Sequence, residues 1–178
     1  MEYQIQMTYE EEDVASLVKT LEYRRHPEKN IRRAYKIGYP LFGFLMIVIS
    51  VVILLSGAID VLSLLACLVM VLVGTILIRR SSTRGMIKRS WKKYPNKGLI
   101  MTYTFYKDHF EEEDEISGKN EFTYLSVKNG NQDDGHFFLF CGDNTTHMLK
   151  KSGFVTGDPE KFPAFILKKA AVRLDPIE

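Results

Sequence analysis

One long apolar stretch limits what this chain can fold into more than any other feature. Residues Leu41–Ile78 occupy thirty-eight positions and carry one formal charge, Asp60, near the middle. A bilayer core of about 30 Å is crossed by roughly 20 helical residues, with about 17 as the practical minimum. The stretch is too long for one crossing and long enough for two. It therefore predicts a membrane hairpin of two helices, near residues 39–56 and 61–78.

The turn of this hairpin is predicted at residues 56–60, which read Ser-Gly-Ala-Ile-Asp. Glycine costs a helix about 1 kcal/mol, and an aspartate costs about 2.5–3.5 kcal/mol at the bilayer centre. A buried hairpin in a soluble protein is the alternative, but a helix at a protein surface needs a polar face, which both segments lack. A cleavable signal peptide is disfavoured because the apolar run begins about forty residues into the chain and is about twice the usual length.

Basic residues on both sides of the hairpin predict its orientation. They lie at positions 24, 25, 29, 32, 33 and 36 before it and at 79, 80, 84, 88, 89, 92, 93 and 97 after it, whereas the turn has none. Positive charge beside a span stays in the cytoplasm. We therefore expect a multi-pass membrane protein with both termini cytoplasmic.

Charge and cysteine content describe the rest of the chain. Residues 1–98 carry 15 basic and 8 acidic groups, whereas residues 99–178 carry 9 and 14. The net charge of +2 thus conceals a basic half next to the membrane and an acidic distal domain. Cys67 lies in the second predicted span and Cys141 in the distal domain, so no disulfide between them is expected in a reducing cytosol.

Hydrophobic periodicity divides the water-soluble parts. Residues 1–38 are predicted to form a strand (Met1–Glu10) and an amphipathic helix (Glu10–Tyr23), because the apolar period changes from two to about 3.6. An isolated strand is unstable, so the first one is expected to join the later sheet. Residues 79–98 are interpreted as a basic linker beside the membrane.

Residues 99–178 are predicted to form a small β-rich domain. Short apolar runs predict strands near residues 99–105, 109–115, 122–127, 136–141 and 145–149. Ile116–Asn120 and Asn129–Asn131 are predicted turns by composition. Asp158-Pro159-Glu160 favours a helix start, and an apolar stripe extends that helix to Leu174. The expected fold class is therefore α+β: a transmembrane hairpin plus a sandwich or partly open barrel closed by a C-terminal helix, a pleckstrin-homology-like architecture.

The order of these features resembles a known family. The runs TFYKDHFEEEDEISGKNEFTYLSVKN, HFFLF and LKKSGFVTGDPEKFPAFILKK are similar to the C-terminal domain of the bacterial YcxB-like family. The similarity extends over essentially the whole chain. It implies a membrane-attached, pleckstrin-homology-like cytoplasmic domain without an assigned activity, and it supplies no catalytic residues. It also implies that the protein lies in the bacterial inner membrane.

No catalytic or metal-binding pattern emerges from the residues, so neither an enzyme nor a cofactor is expected. Successive side chains of a strand point to opposite faces, so the acidic run Glu111–Glu115 cannot converge on one ion. It is interpreted as a solvated edge strand. The histidines at positions 26, 109, 136 and 147 lack ligand spacing, and no nucleotide-binding or hydrolase motif is present. Nucleic-acid binding is not expected either, because no reading module is recognisable.

The predicted function is that of a membrane-anchored interaction protein. Its partners are expected to be the lipid bilayer and a cytoplasmic or membrane protein, with a homo-oligomer as a possibility. Recognition of anionic lipid by the domain and its basic flanks is one alternative, and an oligomeric transport component is another. Candidate contacts for a headgroup or partner are Lys150, Lys151, Arg79, Arg80, Lys92 and Lys93.

Overall fold

The computed structural model describes residues 1–26, 28–56, 60–143 and 145–177, and it separates the chain into two compact units. Met1–Thr20 and Trp91–Glu178 form one, called the β unit here; Leu21–Ser90 form the other, the helical unit. The fold is α+β with two long apolar helices and two sheets, as expected at that level. The helices are α1 Glu11–Arg25, α2 Lys29–Leu55, α3 Val61–Ser81, α4 Thr83–Lys92 and α5 Phe162–Ala170.

Two sheets build the β unit. Their strands are β1 Tyr3–Thr8, β2 Ile100–Phe105, β3 His109–Asp114, β4 Gly118–Thr123, β5 Val127–Gln132, β6 His136–Cys141, β7 Thr146–Lys150, β8 Phe154–Thr156 and β9 Leu174–Pro176. One sheet has the order β4-β3-β2-β1-β8 and the other β7-β6-β5-β9. Neither closes into a barrel within the residues described.

The first strand lies inside a sheet, as its period of two predicted. β1 pairs antiparallel with β2 over six register positions, from Tyr3 opposite Phe105 to Thr8 opposite Ile100. On its other side it pairs with β8. The β unit is therefore discontinuous in sequence, because the entire helical unit is inserted between two neighbouring strands of one sheet.

Aromatic side chains fill the space between the sheets. Phe162, at the start of α5, is fully buried and lies with its ring centroid 5.0 Å from that of Phe105 and 5.1 Å from that of Phe137. Phe105 belongs to one sheet and Phe137 to the other, so α5 holds the two sheets together. All six residues of β6 are buried, as its continuous apolar run predicted.

The predicted turn at Asn129–Asn131 is wrong, because these residues lie within β5. Gly130 faces Leu174 so closely that a side chain there would collide with the leucine. The side-chain amide nitrogen of Asn131, Nδ2, donates to the backbone carbonyl of Asp175 at 3.2 Å. The polar residues of β5 are thus satisfied by β9, which pairs with it in parallel.

The C-terminal helix ends earlier than its apolar stripe predicted. It stops at Ala170, because Ala171 adopts a left-handed conformation with φ 55° that terminates the helix. Leu174 then belongs to β9. The predicted turn at Ile116–Asn120 is also too long, since β4 already begins at Gly118. A short 3₁₀ turn, Tyr124–Ser126, interrupts the strand predicted near residues 122–127.

In the helical unit, both predicted spans are helices. α2 is longer than expected: it starts at Lys29, so Pro40 lies in its interior and not in its first turn. Proline has no N–H for an intrahelical bond, so the turn of α2 around Pro40 lacks one backbone hydrogen bond. Asp60 caps the start of α3, since its carboxylate accepts from the backbone N–H of Ser63 at 2.9 Å. The rest of the predicted turn, residues 57–59, lies outside the described residues.

Candidate functional site

Small residues bring α2 and α3 into close contact. A methyl group on Gly43 would lie 2.6 Å from the carbonyl oxygen of Gly74, and one on Gly74 would lie 2.5 Å from that of Gly43. Farther along the pair, the Cys67 thiol donates to the carbonyl of Ser50 at 3.7 Å, and both side chains are buried. Such glycine and serine contacts are typical of helices that pack in a membrane, where close backbone approach replaces the hydrophobic drive for association.

The outer surfaces of the two helices are apolar and exposed. Arg33–Leu55 and Val61–Arg79 are each long and apolar enough to cross a bilayer, and 11% of the most apolar window of each is buried. Leu55, Val61 and Leu62 are 75–80% exposed. A core helix of a soluble protein would be covered by the rest of its chain, so the low burial disfavours that alternative.

The β unit contains a buried polar network between its sheets. The Tyr103 hydroxyl donates to Oε1 of Glu112 at 3.0 Å, and Nδ1 of His147 lies 3.1 Å from Oε2 of the same carboxylate. The Tyr9 hydroxyl lies 3.2 Å from that of Tyr103 and donates to the carbonyl of Met148 at 3.0 Å. Polar contacts thereby join β2, β3 and Tyr9, the residue after β1, to β7 of the other sheet.

His147 is the most deeply buried member of this network. It is 1% exposed and its ring packs edge-on against Phe110 and Phe122. Burial disfavours the imidazolium, but the neighbouring Cys141 and Glu112 outweigh burial and raise the pKa of His147 to about 9. The charged form of His147 is therefore favoured beside Glu112 inside an aromatic core. Burial also raises the pKa of Tyr9 and of Tyr103 well above the usual value.

Sequence reasoning missed this pair because it treated the acidic run as a solvated edge strand, which is wrong. β3 lies between β2 and β4, so β4 forms the edge. Glu112 alternates with its neighbours in the strand and faces the core, whereas Glu113 is exposed. The alternation of side chains was a usable signal, but the histidine that lies beside the inward carboxylate is thirty-five residues away in sequence.

A second charged cluster ties the first strand and α1 to the other sheet. Nζ of Lys150 lies 2.7 Å from the carboxylate of Asp13 and donates to the carbonyl of Thr8 at 2.9 Å. Nε2 of His136 lies 2.9 Å from the other Asp13 oxygen, and its Nδ1 lies 3.1 Å from Asp133. Asp13 is 4% exposed. Although burial opposes it, contact with Asp133 and Asp13 raises the pKa of His136.

This cluster changes the interpretation of Lys150 as a headgroup contact. Its amino group is held by Asp13 and Thr8, so an external anion would have to compete with a buried carboxylate. The amino group of Lys151 lies 4.9 Å from the ring centroid of Phe137. Arg79, Lys92 and Lys93 are exposed, and the side chain of Arg80 lies outside the described residues.

On the outer face of β3 and β4, three potential metal ligands approach each other. Ligand atoms of His109, Glu111 and Glu121 lie within 4.8 Å of one another, which the sequence argument did not foresee. Nζ of Lys119 lies 2.7 Å from Glu111, and Nδ1 of His109 lies 2.8 Å from Asp108. Lys119 and Asp108 thus pair with Glu111 and His109 in a surface ion-pair network.

Comparison with protein-family models, with curated proteins and with solved structures finds no match. The similarity to the YcxB-like family stays a prediction that rests on the sequence runs quoted above.

Proposed function

We propose that this chain is an integral membrane protein, anchored by the α2–α3 hairpin, whose β unit acts as a non-enzymatic binding module for a protein partner in the cytosol. The observation that carries the proposal is the exposed apolar surface of the two helices, of which the chain itself covers little. Burial of apolar surface contributes about 25 cal/mol per Å², so lipid is the environment that this surface favours.

The discontinuity of the β unit supports the proposed topology. β1 precedes the hairpin and β2 follows it, yet the two strands pair over six positions. Both ends of the hairpin must then lie on the same side of the membrane, which two crossings satisfy and one does not. The basic residues at both ends favour the cytoplasmic side.

The chemistry of the β unit supports a binding role more than a catalytic one. Glu112 and His147, its strongest candidate acid–base pair, lie among aromatic rings, where a substrate has no access to the buried imidazole. Large apolar side chains are instead exposed at Ile116, Leu125 and Val155, which are 76%, 80% and 62% exposed. One antiparallel and one mixed sheet, with α5 packed against both, support the pleckstrin-homology-like interpretation.

Removing the helical unit tests the anchor. Replacing residues 21–90 by a long glycine–serine linker should give a β unit that stays in the supernatant after ultracentrifugation without detergent, whereas the full chain should pellet with membranes. A full chain that stays monodisperse in that supernatant would refute the proposal.

Crosslinking tests the binding role. A photoreactive residue at Leu125 or Val155, in native membranes, should attach to a defined protein, and a matched probe at buried Phe138 should not. If both exposed positions attach only to lipid, the alternative of lipid recognition by the domain would replace protein binding.

A further inference from the structure

α4 is a short basic helix that directly follows the second apolar helix. Only Ser82 separates Thr83–Lys92 from the end of α3. Its ten residues, TRGMIKRSWK, include four basic and no acidic side chains, and none of them is buried. A helix with this composition beside a membrane span lies where phospholipid headgroups would be.

The charges of α4 lie on one side of the helix. Successive residues are offset by about 100°, which places all four basic residues within an arc of roughly 140°. The apolar residues Met86 and Ile87 lie on the other side. Basic and apolar faces of this kind are typical of helices that lie in the plane of a membrane interface.

The four basic side chains, Arg84, Lys88, Arg89 and Lys92, have no acidic partner within the part of the chain that the structure describes. All four are exposed. Lys150, by contrast, is held by Asp13 at 2.7 Å. The basic residues of α4, unlike Lys150, are therefore free to bind an external anion.

We propose that α4 is an interfacial helix that binds the headgroups of anionic phospholipids through Arg84, Lys88, Arg89 and Lys92. The inference rests on the proposed membrane anchor, because α4 meets headgroups only if α3 spans the bilayer. We assign a lipid surface as the binding partner of α4, because this charged helix directly follows the apolar helix α3. This binding by α4 is distinct from lipid recognition by Lys150 and Lys151.

Trp91 packs against the core of the β unit, so the probe on α4 is Met86→Trp in a Trp91→Phe background, because Met86 is exposed. The full chain is placed in nanodiscs of phosphatidylcholine and phosphatidylglycerol, with bromine on the acyl chains of either lipid at equal mole fraction. Brominated phosphatidylglycerol should quench the tryptophan at position 86 more strongly than brominated phosphatidylcholine, and the difference should shrink as salt is added.

Neutralising the helix should abolish this preference. A variant with Arg84→Gln, Lys88→Gln, Arg89→Gln and Lys92→Gln keeps helix-forming residues at each position. Each basic residue near the surface contributes about fivefold in lipid association, so neutralising all four should reduce the relative association of the anionic lipid by at least about tenfold.

A matched variant removes the same charge elsewhere in the chain. Lys19→Gln, Lys107→Gln, Lys161→Gln and Lys168→Gln change exposed residues of the β unit and should leave the preference intact. An equal loss in this variant would overturn the assignment to α4. Equal quenching by both lipids in the probe-bearing chain that keeps its four basic residues would overturn the inference while leaving the anchor standing. Failure to enter nanodiscs would instead overturn the proposed function. Binding of a fluorescent RNA duplex through the same four residues would overturn the choice of lipid.

Discussion

Replacing Glu112 by glutamine should remove part of the pH dependence of the stability of the β unit. Contact with Cys141 and Glu112 outweighs burial and raises the pKa of His147 from 6.5 to about 9 in the folded chain. Because the pKa is higher in the folded state, the charged imidazole stabilises the fold. That contribution is complete below about pH 6.5 and is lost as the pH rises through about 9.

The size of the effect follows from this interval. One pKa unit corresponds to about 1.4 kcal/mol, so the free energy of unfolding should fall by about 3 kcal/mol between pH 6 and pH 10 because of His147. In the Glu112→Gln variant Tyr103 can still donate to the side-chain oxygen, but the negative charge is gone. We expect at least about 1 kcal/mol of the pH-dependent loss to disappear.

Urea unfolding of the full chain in detergent micelles measures this quantity. Trp91 packs against the core of the β unit, so its fluorescence reports unfolding of that unit. His136, whose pKa is also raised, contributes equally to both proteins, and the difference between them isolates the Glu112–His147 pair. Glu113→Gln is the matched control, because it removes the same charge from an exposed position of the same strand.

An unchanged pH dependence in Glu112→Gln would refute the reasoning. So would an equal change in the Glu113→Gln control, since that would assign the effect to the net charge of the strand. Direct titration of the His147 ring by NMR gives a second check: a pKa at or below 6.5 would show that burial outweighs the neighbouring groups.

Gly43→Leu should destabilise the packing of α2 on α3 by about 1–3 kcal/mol, because any side chain there meets the facing backbone. The control is Gly38→Leu, whose side chain meets open space and should leave unfolding in detergent unchanged. Similar effects of both variants would contradict the helix contact. Asp13→Asn should destabilise the β unit by about 3–5 kcal/mol in the same urea assay, since it leaves the half-buried ammonium of Lys150 without its carboxylate. Glu10→Gln, whose carboxylate lies 4.0 Å from that ammonium and is 73% exposed, should have little effect, and a larger effect for it would refute the cluster.

The elements that the sequence predicted well depend on local patterns. Two apolar helices follow from the length of an uninterrupted apolar run, and Asp60 marks the start of the second one because it is also its cap. The first strand was placed in the sheet because its alternation required a partner and only one region offered strands.

The misread elements depend on partners that are distant in sequence. Asn129–Asn131 has the composition of a turn, yet β9, more than forty residues later, satisfies its polar groups. Glu112 looks like part of a solvated run until His147 is placed opposite it. Lys150 looks like a free surface lysine until Asp13 approaches from α1. Local composition carries no information about such long-range pairs.

The central claim, a hairpin inserted in the membrane with both ends on the cytosolic side, is tested most directly by labelling single cysteines in intact cells. Cys67 and Cys141 are 3% and 6% exposed, so they give little background. A membrane-impermeant maleimide should label Ser56→Cys, at the end of α2, in intact cells, and should label exposed Ser152→Cys only after permeabilisation. Labelling of both cysteines only after permeabilisation, with the protein recovered in the soluble fraction, would contradict the hairpin.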